Sequence, residues 1–184
     1  MAHRLPVVIS EYSTDWAASF QAERIAILDA VGSDGFEVEH IGSTAVAGLA
    51  AKPIIDIMIG ASDMARIEGV ITRLESIGYE YMPNPRIVIP NWRFFAKPIT
   101  RPRLFHLHGV VLGGSKWSDL LLFREALRSD PLLAREYAAL KLALASRHHD
   151  DRSAYTDEKA DFIQSVLERS RSERGIASHA RREP

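Results

Sequence analysis

The 184-residue chain is 46% hydrophobic and 26% charged, with a formal net charge of -1. That is ordinary for a soluble globular protein large enough to bury a core, and it supplies no bulk field toward nucleic acid or membrane. There is no cysteine, which excludes disulfides and thiolate zinc sites.

The opening "MAHRLPVVIS" has no long apolar core and no cleavage site, so no signal peptide is expected. No run reaches the roughly 18 apolar residues of a membrane span, and a cytoplasmic location is the default expectation. Residues 14–31 predict a helix, with Trp16, Phe20, Ile27 and Val31 near one stripe, Thr14 as N-cap and Gly32 as its end. "FEVEHI" at 36–41 alternates as a strand does. Residues 42–52 read as a turn with a short helix; Pro53 then starts a strand that "IIDIMI" continues.

A second helix is expected over 62–77, capped by Ser62, with Ile67, Val70, Ile71, Leu74 and Ile77 as its stripe. "YEYM", "RIVI", "WRFFAK" and "RLFHLHGVVL" read as strands, separated by turn signals at Asn84-Pro85 and Pro90-Asn91. From Lys116 the pattern becomes helical, and Asp130-Pro131 and the polar stretch 146–154 divide it into three helices. The order predicts an α+β fold: a small mixed β-sheet with packed helices (1–115), a helical C-terminal segment (116–170) and a frayed tail (171–184), all in one domain.

One strand carries a charge. Alternation from Pro53 puts Ile54, Asp56 and Met58 on one face and Ile55, Ile57 and Ile59 on the other. An ionised carboxylate on such a strand is costly unless it is paired or metal-bound, so an edge position, an Arg partner and a functional site are all open. Just upstream, Gly42-Ser43-Thr44 offers backbone amides and two hydroxyls where the chain enters a short helix, the kind of place that attracts phosphate. Taken alone, that tripeptide is as well read as a plain turn.

The run His40-Ile-Gly-Ser-Thr-Ala-Val-Ala-Gly-Leu-Ala-Ala-Lys-Pro-Ile-Ile-Asp56-Ile resembles the signature of the GrpB family, which belongs to the nucleotidyltransferase-fold superfamily. "EYSTDWAASFQAER" is similar to that family's N-terminal helix and "FHLHGVV" to its His-x-His strand. "FREALRSDPLLAREYAALKLALA" and "YTDEKADFIQSVL" are similar to its C-terminal helices. The likeness covers residues 8–170, with Ala47 standing where the family usually has Pro.

The resemblance implies a nucleotidyltransferase-like fold. Enzymes of that fold hold a triphosphate on a Gly-Ser turn and bind two Mg²⁺ through an Asp-x-Asp pair, often with a third carboxylate. Gly42 and Ser43 match the turn and Asp56 the first Asp, while Met58, a poor Mg²⁺ ligand, stands at the second. The family also lacks this second carboxylate. Its domain occurs fused to dephospho-CoA kinase, but this sequence contains no Walker A motif, so kinase activity is rejected. Mg²⁺ or another divalent metal is the expected cofactor, and a nucleotide or other phosphorylated small molecule the expected ligand.

His106 and His108, two apart on a strand, share a face; if it is the Asp56 face, the three can bind a transition metal or do acid–base chemistry, with His40 as a further candidate. His148-His149-Asp150-Asp151 reads as a solvated loop. Lys52 precedes the Asp56 strand and is placed to reach a phosphate. Arg124/Arg128, Tyr137/Lys141 and Tyr155/Lys159 read as helix-surface pairs that matter only if they converge on Asp56. Trp92, Phe94 and Phe95 are either core or a surface for stacking a base.

Three functions follow. In the first, a nucleotide is bound for metal-dependent nucleotidyl transfer: Gly42, Ser43, Thr44 and Lys52 hold phosphate, Asp56 holds metal, and Asp56, His106 and His108 are the catalytic candidates. The second is a non-catalytic ligand-binding or interaction module of the same fold. The third is a transition-metal-dependent hydrolase using Asp56, His106 and His108 as ligands.

Overall fold

The computed structural model describes residues 8–83, 90–100, 102–148 and 152–175. Helix α1 (Asp15–Val31) turns its stripe of Trp16, Phe20, Ile27 and Val31 inward. Thr14 makes no side-chain cap; the Ser13 hydroxyl accepts from the Asp15 amide instead. Strand β1 (Phe36–Ile41) leads through a 3₁₀ turn (Ser43–Ala45) to β2 (Ile55–Ala61), which begins two residues after Pro53.

The single helix expected over 62–77 is two, α2 (Met64–Glu68) and α3 (Ile71–Ser76), because the poor helix former Gly69 ends the first. Its cap is Asp63, whose carboxylate accepts from the Arg66 amide, rather than Ser62. Then come β3 (Glu80–Tyr81), β4 (Trp92–Lys97) and β5 (Phe105–Val111). The strand expected at "RIVI" lies outside the described residues, as does the chain after residue 175. Helices α4 (Ser115–Ser129), α5 (Pro131–Arg147) and α6 (Arg152–Glu173) follow. Asp130 caps α5 by accepting from the amides of Leu132 and Leu133, ahead of Pro131 at the first turn.

Among the described residues the sheet is mixed and five-stranded, in the order β1-β2-β5-β4-β3. Only β2 and β5 run parallel. One face carries Val38, Ile55, Ile57, Ile59, Leu107 and Phe95, buried under α1, α2 and α3. Each such side chain contributes roughly 1.5–3 kcal/mol relative to exposure. On the other face Ile41, Met58 and Val110 lie under Trp117 of α4.

Two strand glycines admit the covering helices. A Cβ at Gly109 would stand 2.6 Å from Ile67 of α2, and one at Gly60 2.6 Å from the Trp117 ring. A further apolar cluster joins Val46 and Leu49 of the β1–β2 connection to α4, α5 and α6. The C-terminal helices are thereby fixed to the segment that holds the Gly-Ser-Thr turn.

Candidate functional site

Asp56 is the second residue of β2, paired with Ile41 of β1 on one side and His106 of β5 on the other. The next pair on that face is Met58 with His108, and Phe94 of β4 lies opposite His108. The register therefore gathers Asp56, His106, His108 and Phe94 on one face. Nδ1 of His106 is 3.1 Å from Asp56 Oδ1, and Nε2 of His108 is 3.9 Å from the same oxygen. The Phe94 ring meets both imidazoles edge-on, with centroids 5.1 and 5.3 Å away. Of the readings open to the Asp56 carboxylate, the edge strand and the Arg partner do not hold: β2 lies inside the sheet and the carboxylate is paired with histidine. Its side chain keeps 31% exposure through a cleft.

Hydrogen bonds assign the protons. The Trp92 indole, which can only donate, gives its N–H to His108 Nδ1 at 3.1 Å. That nitrogen therefore carries a lone pair and the ring hydrogen sits on Nε2, toward Asp56. Burial pushes the His108 pKa below its ordinary value, against the raising effect of Asp56. Burial also pushes the Asp56 carboxyl up, but the hydrogen bonding and charge of His106 and His108 outweigh it and hold the group well below the usual carboxylate range. Asp56 is ionised, and His106 Nδ1–H donates to it.

The turn abuts this carboxylate. Gly42 has φ +70° and ψ -168°, a conformation essentially reserved for glycine. A Cβ there would lie 2.6 Å from Asp56 Oδ2. The amides of Ser43 and Thr44 enter neither the sheet nor the turn's own hydrogen bonds, which run from Ala45 and Val46 to the carbonyls of Gly42 and Ser43. The three-residue turn is too short for the dipole expected of a helix, so what it offers is amides, the Ser43 hydroxyl being engaged with the Tyr137 phenol. Thr44 is buried and spends its hydroxyl on His40 Nε2 at 3.0 Å.

The opposite wall of the cleft comes from the C-terminal helices. Ser43, Thr44, Ile54, Asp56, His106, Lys52, Lys141, Tyr155 and Lys159 line a cavity of about 200 Å³. Two Tyr-x-x-x-Lys pairs, Tyr137/Lys141 on α5 and Tyr155/Lys159 on α6, supply the added lysines. The Lys52 ammonium lies 4.3 Å and that of Lys159 5.4 Å from the Tyr155 ring centroid. Lys141 is 2% exposed, donates to the Ala50 carbonyl and sits 4.8 Å from the Tyr137 ring. Burial, then the Lys159 charge, push the Lys141 pKa down to about 7, against the pull of Asp56. Burial also lowers Lys159. The cleft thus holds three amines against one carboxylate, more positive charge than it readily keeps protonated.

This set does not fit the two-Mg²⁺ arrangement implied by the fold. Met58 occupies the second carboxylate position and is fully buried, and Mg²⁺ requires hard oxygen ligands. Nor, among the described residues, is any group of three His, Cys, Asp or Glu side chains arranged to hold a metal ion. His106 Nδ1 is engaged with Asp56, and His108 Nδ1 with Trp92.

Other candidates lie elsewhere. His40 does not join the cluster: it pairs with Ile57, on the opposite face, and stacks on Phe20 of α1 at 4.6 Å. Arg124 and Arg128 brace the turn from behind, Arg124 donating to the His40 carbonyl and Glu39, Arg128 to the Ala45 carbonyl. His148 bonds Glu158, and residues 149–151 are outside the described set. Phe95 is core, whereas Trp92 and Phe94 support the histidines. Sequence reading missed that Lys141, Tyr155 and Lys159 face the cleft; the repeat of Tyr-x-x-x-Lys on consecutive helices was the available signal. No described helix is long and apolar enough to cross a membrane.

Comparison with known proteins agrees with this architecture. The family model described as "GrpB protein" matches residues 6–169. A UPF0157 protein of Streptomyces coelicolor is 37% identical over 166 residues, covering 90% of this chain and 85% of its own. The crystal structure of the conserved protein GrpB from Enterococcus faecalis superposes with a TM-score of 0.81 at 30% identity, over 91% of this chain and 99% of that one. The Cid1 poly(U) polymerase superposes with a TM-score of 0.50 at 16% identity, over 76% of this chain and 43% of that one, a likeness of fold alone. The chain belongs to the GrpB family and has a nucleotidyltransferase-like fold.

Proposed function

We propose that the cleft binds a phosphate-bearing small molecule, a nucleotide being the leading candidate, with its phosphates among Lys52, Lys141, Lys159 and the Ser43 and Thr44 turn. The observation that carries this is the convergence of three lysines, from the loop before β2, from α5 and from α6, on one cavity with a single carboxylate. Charge-assisted hydrogen bonds to phosphate are the strong ones, and an anion would offset the burial and the Lys159 charge that depress Lys141. A volume of about 200 Å³ suits a phosphate group or chain, so a nucleoside would extend outside it.

Calorimetric titration with ATP, pyrophosphate and inorganic phosphate, each with and without EDTA, tests the reading. The expected result is binding that survives EDTA and weakens about tenfold in Lys159→Met, the loss of one charged hydrogen bond. Binding that is absent, or indifferent to Lys159, counts against it. The non-catalytic module remains the second reading, and it is favoured by one observation: the buried Met58 where the fold's second metal carboxylate would stand.

A further inference from the structure

The geometry points to His106 as a nucleophile that takes a phosphoryl or nucleotidyl group from a phosphoanhydride onto Nε2, forming a covalent phosphoramidate without a metal ion. This rests on the anion-binding reading above and adds a chemical step to it.

The argument starts from what each nitrogen is doing. Nδ1 of His106 donates to Asp56, so the neutral ring carries its lone pair on Nε2. Nε2 has no hydrogen-bond partner among the described residues, and the ring lines the cleft with 29% of its side chain exposed. His108 offers no rival lone pair, because Trp92 occupies its Nδ1 and its hydrogen is on Nε2. The Phe94 edge and the Asp56 bond fix the plane of the His106 ring. The site therefore presents one oriented, unoccupied imidazole lone pair to a space lined by three amines.

The step balances within those groups. Nε2 attacks the phosphorus of the bound anhydride; the N–P bond forms and the bridging P–O bond breaks. Its electron pair leaves on pyrophosphate when the α phosphorus is attacked, or on the nucleoside diphosphate when the γ phosphorus is, and Lys141 and Lys159 offset the charge of either. The positive charge developing on the ring is stabilised by Asp56, which keeps the Nδ1 hydrogen bond throughout. Water or an acceptor hydroxyl then attacks phosphorus, the N–P pair returns to Nε2, and the acceptor's proton passes to solvent. The two-metal route to direct transfer onto a hydroxyl needs carboxylates to hold its ions, and the buried Met58 denies them the second. A histidine nucleophile needs only what these strands carry.

The test incubates the whole protein, in EDTA, with each of the four ribonucleoside triphosphates radiolabelled at the α or the γ phosphate. The expected result is an acid-labile, alkali-stable label on the peptide containing His106. The label is expected to be lost in His106→Asn, whose amide can still donate to Asp56 and which is expected to bind the same triphosphate within about threefold of wild type. Position of the label, α or γ, states which group is transferred. A triphosphate that binds by calorimetry yet leaves wild type unlabelled overturns the nucleophile and leaves the anion site standing. Absence of both binding and label overturns both. A label that persists in His106→Asn, or that is acid-stable, assigns the chemistry to another residue and overturns the proposal.

Discussion

The two faces of the sheet are built from the same strands by alternate residues, and they solve opposite problems. Ile55, Ile57 and Ile59 point under α1, α2 and α3 into a cluster closed to water. Their neighbours Asp56 and Met58 point the other way, where α4 covers Met58 but leaves Asp56 at the mouth of a cleft. The first face supplies stability by burial. The second holds an ionised carboxylate, two imidazoles and three lysines close together, and burial there works against the charged forms of Lys141 and Lys159. Each titratable group shows which problem its face is solving. His40 is pushed down to about 4 by burial and stays neutral, whereas Asp56, one position along in the register, is kept charged.

The boundary between the closed and open parts of the second face is sharp, and crossing it gives the largest expected effect. Met58→Asp places a carboxylate under Trp117 and Ile41, beside a His108 already bound to Trp92. It is expected to destabilise by about 4 kcal/mol, the penalty of an uncompensated buried charge, and to confer no Mg²⁺ response. Chemical denaturation with and without Mg²⁺ measures both. A variant that folds normally and gains a metal-dependent shift would mean that position 58 opens to the cleft.

The second effect belongs to the closed face and is read by pH. An unfolded His40 binds its proton at about 6.5 and the folded one only near 4, so the unfolded state holds more protons between those values. Stability is full above 6.5 and falls as pH drops through the window, by about 3 kcal/mol at pH 4. His40→Gln is expected to flatten that part of the pH profile. An unchanged slope in the variant would show that His40 is not the group responsible.

Gly42 tests the contact between turn and carboxylate. Gly42→Ala strains the backbone at φ +70° and drives a Cβ against Asp56 Oδ2, at a cost of about 2 kcal/mol. The domain is expected to fold while losing phosphate affinity, because a strained Gly42 backbone re-aims the Ser43 and Thr44 amides that follow it. Denaturation and calorimetry on one sample separate the two; a stable variant with full affinity would mean that the turn tolerates a side chain.

How much of this was legible in the sequence follows from what is local. Strand 36–41 matches its alternating pattern because a pleated strand has a fixed period of two, and 92–97 matches its run of aromatic residues between turn signals. The sharing of a face by Asp56 and Met58, and by His106 and His108, is the same rule. Their meeting is not: it needs the parallel register of β2 and β5, which no local pattern encodes. His40 was misplaced for that reason, since the antiparallel register sets Ile41, not His40, against Asp56. The break at Gly69 was visible as a residue but was outweighed in reading by an unbroken apolar stripe. Lys141 and Lys159 were least legible, because whether a Tyr-Lys pair faces water depends on where its helix packs.

Lys141 carries a net effect left over from two opposing terms, and the one that most sharply divides stability from function. Its amine is pushed from an ordinary 10.5 down to about 7, so the folded state binds fewer protons than the unfolded one between those values. Stability therefore rises with pH across the window, by about 4 kcal/mol, and the full cost is present below pH 7. Lys141→Met removes that cost but leaves the Ala50 carbonyl without its donor, a loss of about 1–3 kcal/mol. The difference leaves the ligand-free variant about 1–3 kcal/mol more stable at pH 7, with the rise between pH 7 and 10 abolished. Phosphate affinity should move the other way, falling about tenfold with the lost ammonium. In wild type, bound phosphate would keep Lys141 protonated, so affinity should decline from pH 7 to 9 as the amine must first gain a proton. Denaturation across that range, with and without phosphate, reads all three quantities. A variant destabilised as a core truncation would be, yet binding phosphate as before, would make Lys141 a tie between α5 and the β1–β2 connection and remove it from the cleft's anion-binding set.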